Sequence, residues 1–115
     1  MPFRDAYTHL QEIAESIDLI DLFIKDMNFD SYKADAKTKS AVERQLQIIT
    51  EAAVRLGDDG GRLAPGPNWR GYRGMGNILR HQYHKIDDQI VWDTVMDELP
   101  SLKEAVSRAL KERAK

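Results

Sequence analysis

Histidine and arginine crowd into one stretch of this chain, WRGYRGMGNILRHQYHKI, from Trp69 to Ile86. Two of the three histidines, His81 and His84, lie there, among Arg73, Arg80 and Asn77. Imidazole beside guanidinium suits phosphate chemistry. RNA is cut without a metal when a base takes the 2′-OH proton and the freed oxygen attacks the adjacent phosphate. Histidine is the natural base near neutral pH. Arginine stabilises the charge that builds on the phosphoryl oxygens. His81 is therefore a candidate base, with Arg80, Arg73 and Asn77 as candidate phosphate contacts and His84 beside them. An ordinary solvated polar face is the competing explanation of the same residues.

Such residues work only if an element positions them. On a helix at 100° per residue, Tyr72, Met75, Leu79, Tyr83 and Ile86 fall on one apolar stripe. Arg73, Asn77, Arg80, His81 and His84 fall on a second stripe, more than a quarter-turn away. Asn68 can cap this helix. Gly71, Gly74 and Gly76 lie inside it, and three helical glycines cost about 3 kcal/mol relative to alanine. Either another backbone or a ligand approaches closely, or the helix begins only near Gly74. His81 and His84 have the i,i+3 spacing of helical metal ligands. No carboxylate completes a ligand motif and the chain has no cysteine, so neither metal nor cofactor is expected. There is no phosphate-binding loop, dinucleotide fingerprint or serine nucleophile elbow.

The rest of the chain reads as helical support. Leu10, Ile13, Ile17, Ile20 and Ile24 recur at helical spacing between Asp5, a cap, and Met27, with Asn28 as a left-handed stop. His9 on that helix reads as exposed. FDSYKADA, 29–36, reads as a short turn capped by Asp30 or Ser31 and anchored by Phe29 and Tyr32. Val42, Leu46, Ile49, Ala53 and Leu56 mark a second long helix from Thr38, stopped by Gly57, with Glu51 and Arg55 paired on its surface. DDGGRLAPGPN, 58–68, reads as a loop. Asp87 or Asp88 caps a further helix carrying Val91, Trp92, Val95 and Leu99. Pro100 breaks or kinks it before Leu102, Val106 and Leu110 continue the stripe. With no alternating β-branched run, the expectation is an all-α, up-and-down bundle of four to five helices, a single domain over 1–115.

Bulk composition narrows the function. The 115 residues are 42% hydrophobic and 31% charged, the balance of a folded globular chain. A formal charge of −2 excludes a general polyanion binder, so any RNA site is a local patch. Without cysteine there is no disulfide and no thiolate chemistry. No apolar run suits a membrane span or a secretory leader, so a cytoplasmic protein is expected.

These segments together resemble HepT-like proteins of the HEPN superfamily, the toxin side of HEPN–MNT toxin–antitoxin pairs. RDAYTHLQEIAESI is similar to that family's first helix and KTKSAVERQLQIITEAAVRL to its long second one. PNWRGYRGMGNILRHQY resembles its motif region, and DDQIVWDTVMDELPSLKE its last helices. The resemblance covers nearly the whole chain. It implies a helical bundle, usually a homodimer, whose motif helices face a shared cleft, and a metal-independent endoribonuclease acting on RNA such as tRNA. It also implies a partner, an MNT-type nucleotidyltransferase antitoxin that adenylylates a tyrosine. The family motif is Arg, four residues, His, one residue, Tyr. His81 and Tyr83 match its His and Tyr, and Asn77 matches the Asn that commonly follows its Arg. Gly76 stands where the Arg belongs. Arg80, one turn later on a helix whose side chains lean toward the N-terminus, is a candidate replacement. Tyr83 is then the expected modification site, or else a partly buried core tyrosine. The resemblance thus implies an RNase toxin or, given Gly76, a catalytically degenerate partner or substrate of the nucleotidyltransferase.

Overall fold

Asp5 opens the first helix, accepting the Tyr7 N–H on its carboxylate at 2.9 Å. In the computed structural model, residues 5–81 and 86–114 are described, without the side chains of Arg80, His81 and Ala114. Helix α1 is Ala6–Phe23. Its Leu10, Ile13, Ile17 and Ile20 are fully buried, as their spacing requires. The left-handed residue after it is Asp26, at φ +64°, rather than Asn28. Asn28 instead caps α2 (Phe29–Ala34) through a reciprocal box with Ser31, which replaces Asp30 or Ser31 as the expected cap. Tyr32 of α2 is fully buried, its ring 5.2 Å from that of Trp92.

Asp35 caps α3 (Ala36–Leu56), which begins two residues earlier than Thr38. Val42, Leu46, Ile49, Ala53 and Leu56 are all buried. Gly57 ends the helix with φ +53°, a conformation glycine adopts freely. Among the described residues, Glu51 and Arg55 form no ion pair; a side-chain pair this helix does make is Arg44 Nη1 donating to Gln47 Oε1.

The glycine-rich stretch after α3 is not all loop. Asp58–Leu63 forms α4. Its glycines read as loop residues, but Gly60 is there for space: a Cβ would lie 2.9 Å from Cδ2 of Trp69. Trp69 also donates its indole N–H to the Ala64 carbonyl at 2.9 Å. Together these contacts fold the connection onto the start of α5 (Trp69–His81). Val91 and Trp92 lie on α6 (Asp88–Asp93), capped by Asp87, which accepts the Gln89 N–H at 2.8 Å. Asp88 instead reaches across to Lys39 at 3.2 Å. The chain then passes Pro100 without a break. Thr94–Glu98 widens into a π-helical turn before α7 (Leu99–Ala114). Proline lacks an N–H and crowds the preceding turn, and an i→i+5 turn leaves it room.

Long helices α1, α3, α5 and the continuous α6–α7 rod form the bundle, with α1 between α3 and α7 and α5 on the far side of α3. Leu99, Leu102 and Val106 of α7 complete the core against α1. No described helix is long and apolar enough to cross a membrane.

Candidate functional site

Asn68 starts the motif helix. Its side-chain oxygen accepts the Gly71 N–H at 3.0 Å and its carbonyl the Tyr72 N–H at 3.1 Å. The helix therefore begins at Trp69, not near Gly74, and the glycines need another explanation. At Gly71 a Cβ would lie 2.5 Å from the folded-back Asn68 amide. At Gly76 it would lie 2.9 Å from Thr50 Oγ1 and 3.0 Å from Thr50 Cβ, on α3. At Gly74 nothing lies within 4 Å. Two of the three glycines thus permit a close approach, one to the cap and one to the neighbouring helix.

Contacts fix α5 antiparallel to α3. Arg73 Nη1 donates to the Gly57 carbonyl at 3.4 Å, Gly76 meets Thr50, and beyond the motif Asp88 meets Lys39. Leu79 and Ile86 consequently lie beside the Ser40–Gln47 part of α3. Tyr72 and Leu79 are buried and Met75 half-buried, as the apolar stripe requires. Tyr72 sits in enough protein that burial pushes its phenol well above the usual range, with the Glu98 carboxylate adding to the effect.

The predicted site residues separate along this helix. Arg73 is half-buried and tied to Gly57, about 12 Å along the axis from His81 at 1.5 Å per residue. Asn77 is exposed, one turn before His81. Arg80 and His81 close the helix. Tyr83 and His84 lie outside the described residues. Gly76, in the motif's arginine position, faces α3 and not solvent.

Two clefts flank the helix end. An apolar groove of about 640 Å³ runs between α5 and α6, lined by Gly71, Gly74, Met75, Ile78, Leu79, Ile86, Ile90 and Val91, with Asp87 at its edge. A smaller, more polar cleft of about 200 Å³ has Leu79 and Ile86 on one wall and Ser40, Glu43, Arg44 and Gln47 on the other. The Glu43 carboxyl is raised above its usual value, first by burial and then by Asp88, while Lys39 pulls it down. Sequence reasoning missed this α3 wall. Its signal was the i, i+3, i+4, i+7 polar run on α3, which reads as a solvated face until α5 is laid beside it.

His9 also departs from expectation. It is buried, 6% exposed, with Nδ1 3.0 Å from Glu12 Oε1. It lies on α1, which packs between α3 and α7 rather than beside the motif.

The chain matches the family described as "Ribonuclease HepT-like" over residues 13–109. It belongs to that family. Its HEPN-type relatives include a Thermococcus cleftensis protein named "Probable ribonuclease HepT", 40% identical over 87% of this chain and 91% of the relative. A Methanocaldococcus jannaschii protein named "Putative RNase MJ0127" is 34% identical over 97% of this chain and 93% of the relative. No solved structure matches this HepT-like chain. The match runs through the whole of α5, Trp69–His81.

Proposed function

We propose that this protein is a metal-independent endoribonuclease, the toxin of a toxin–antitoxin pair. The observation that carries the reading is the placement of His81. It ends a helix capped at Asn68 and locked in register on α3, with Asn77 exposed one turn earlier. His81 takes the proton from the RNA 2′-OH. The oxygen attacks the neighbouring phosphorus, a 2′,3′-cyclic phosphate forms, and the 5′-oxygen leaves with a proton returned by the imidazolium. Asn77 and Arg80 contact the phosphate, and Arg73 and His84 extend the RNA path.

A second copy completes the cleft in this reading. The apolar groove between α5 and α6 supports it, because Ile78 and Ile90 stand 51% and 60% exposed along its rim. The partner antitoxin is a nucleotidyltransferase of the MNT type that adenylylates Tyr83. Adenylate two residues from His81 places negative charge and bulk where an RNA phosphate must sit.

The test is incubation of partner-free protein with total tRNA in EDTA, alongside His81→Ala. Cleavage that survives EDTA and vanishes in the variant supports the reading. Mass spectrometry of Tyr83 after co-expression with an active partner tests the modification, and an unmodified tyrosine rejects it. Burial of Gly76 against Thr50 favours one second reading, a degenerate member that serves only as the nucleotidyltransferase's partner or substrate. Absence of cleavage by the unmodified dimer selects it.

A further inference from the structure

The motif helix carries no guanidinium at position 76, and the backbone there is pressed against α3. The wall it presses against has one. Arg44 lies on α3 where Ser40, Glu43, Arg44 and Gln47 face Leu79 and Ile86 across the small cleft. With Gly76 packed on Thr50 and the two helices antiparallel, the His81 backbone five residues on is level with the part of α3 that carries Arg44 and Gln47.

Arg44 is also free to act. Arg62, Arg108 and Arg113 are engaged with Asp59, Glu104 and Asp5, and Arg73 with the Gly57 carbonyl. Among the described residues, Arg44 has no carboxylate partner. Its Nη1 donates one bond, to Gln47 Oε1 at 3.3 Å, and both residues line the cleft. A guanidinium has five N–H donors in a fork that matches phosphate oxygens, so most of its capacity is unused. Arg44 is solvent-exposed whereas Glu43 is half-buried, and an incoming phosphate meets the cation first.

We propose that Arg44 of α3 is a phosphate-contacting residue of the RNA cleft, supplying from the neighbouring helix the guanidinium that Gly76 cannot. This rests on the ribonuclease reading for its catalytic consequence but is tested separately as an RNA contact. The RNA is then contacted from two helices, α5 with His81 and Asn77 and α3 with Arg44. Arg44 then shares the phosphate with Arg80 rather than leaving it to Arg80 alone.

The experiment measures binding of a fluorescent, 2′-O-methyl single-stranded RNA, which lacks the attacking hydroxyl, across a salt series. Wild type, Arg44→Ala, Arg44→Lys and Arg55→Ala are compared; Arg55 is an exposed arginine at the other end of α3. Arg44→Ala is expected to weaken binding about 10-fold and to lower the log–log salt slope by roughly 0.7, the loss of one single-strand phosphate contact. Arg44→Lys restores most of the slope, and Arg55→Ala changes neither quantity. Unchanged binding in Arg44→Ala, weakened binding with an unchanged slope, an equal loss in Arg55→Ala, or no RNA binding by wild type overturns the inference. Cleavage of unmodified RNA is followed in parallel, and Arg44→Ala should cut about 100-fold more slowly. Wild-type protein that binds but does not cut sinks the ribonuclease reading while the salt slope still judges Arg44. Cleavage that needs His81 but is indifferent to Arg44 removes Arg44 and leaves the ribonuclease standing.

Discussion

Gly76 and Thr50 interlock: the absent side chain of one makes room for the hydroxyl and Cβ of the other. Thr50 is fully buried and its hydroxyl donates to the Gln47 carbonyl at 2.9 Å, so it has little freedom to move aside. Alanine in a helix normally stabilises by about 1 kcal/mol over glycine. At position 76 the added methyl meets atoms at 2.9–3.0 Å, and overpacking of this kind costs about 1–3 kcal/mol. Gly76→Ala should therefore lower stability in urea denaturation, whereas Gly74→Ala, with nothing within 4 Å, should raise it in dilute protein. Gly76→Arg should be worse than Gly76→Ala, and adding Thr50→Gly should recover much of the loss. Additive effects in that double-mutant cycle would show that the two residues do not share the space.

The same pair marks where the sequence stopped being readable. The periodic runs of α1 and α3 located both helices and their buried residues, because an amphipathic helix displays its core face in its spacing. Asp5, Gly57, Asn68 and Asp87 were legible as ends, because cap chemistry is local. Helix α4 was missed because Gly60 and Gly61 resemble a loop until Trp69 is known to cover Gly60. His9 was misjudged because its burial depends on what packs over α1. The α3 wall of the candidate site was invisible for a related reason. Nothing in the spacing of Ser40, Glu43, Arg44 and Gln47 tells that Leu79 and Ile86 lie opposite; only the α3–α5 register does.

Glu43 supplies a pH dependence with a definite sign. Burial, then the Asp88 charge, raises its carboxyl above the ordinary 4.5, against the pull of Lys39. The folded state thus holds a proton that the unfolded state releases, and this contribution to stability falls as pH rises past 4.5 through the folded value. Glu43→Gln removes the penalty. The variant should melt higher than wild type at pH 7, and the difference should shrink toward zero at pH 4. A variant that melts lower at pH 7 would mean that the Lys39 attraction outweighs burial and Asp88.

Trp69 fastens the start of the motif helix in two ways, stacking over Gly60 and donating to the Ala64 carbonyl. Both Trp69 and Ala64 are buried, so an orphaned carbonyl there has no water to turn to. Trp69→Phe should cost about 1–3 kcal/mol in chemical denaturation, the penalty for an unmet buried acceptor plus lost contact. Gly60→Ala should also destabilise, by crowding the indole. If Trp69→Phe proves neutral, the hydrogen bond contributes nothing to holding α5 in place.

The groove between α5 and α6 leads to the last expectation. Ile78 and Ile90 sit on its two sides, each more than half exposed, and the lining between them is mostly apolar. Single exposed aliphatics are ordinary, but two facing each other across an apolar groove form a patch that a partner buries with profit only if it covers several hundred Å². If a second copy covers it, Ile78→Asp and Ile90→Asp should each shift the protein from dimer to monomer in sedimentation equilibrium. Each protomer should stay folded, because both side chains point outward. Monomeric variants should also lose RNA cleavage in step with dimer content if the cleft is shared. Variants that remain dimeric would place the interface elsewhere, and wild type that is monomeric at micromolar concentration would remove the shared cleft altogether.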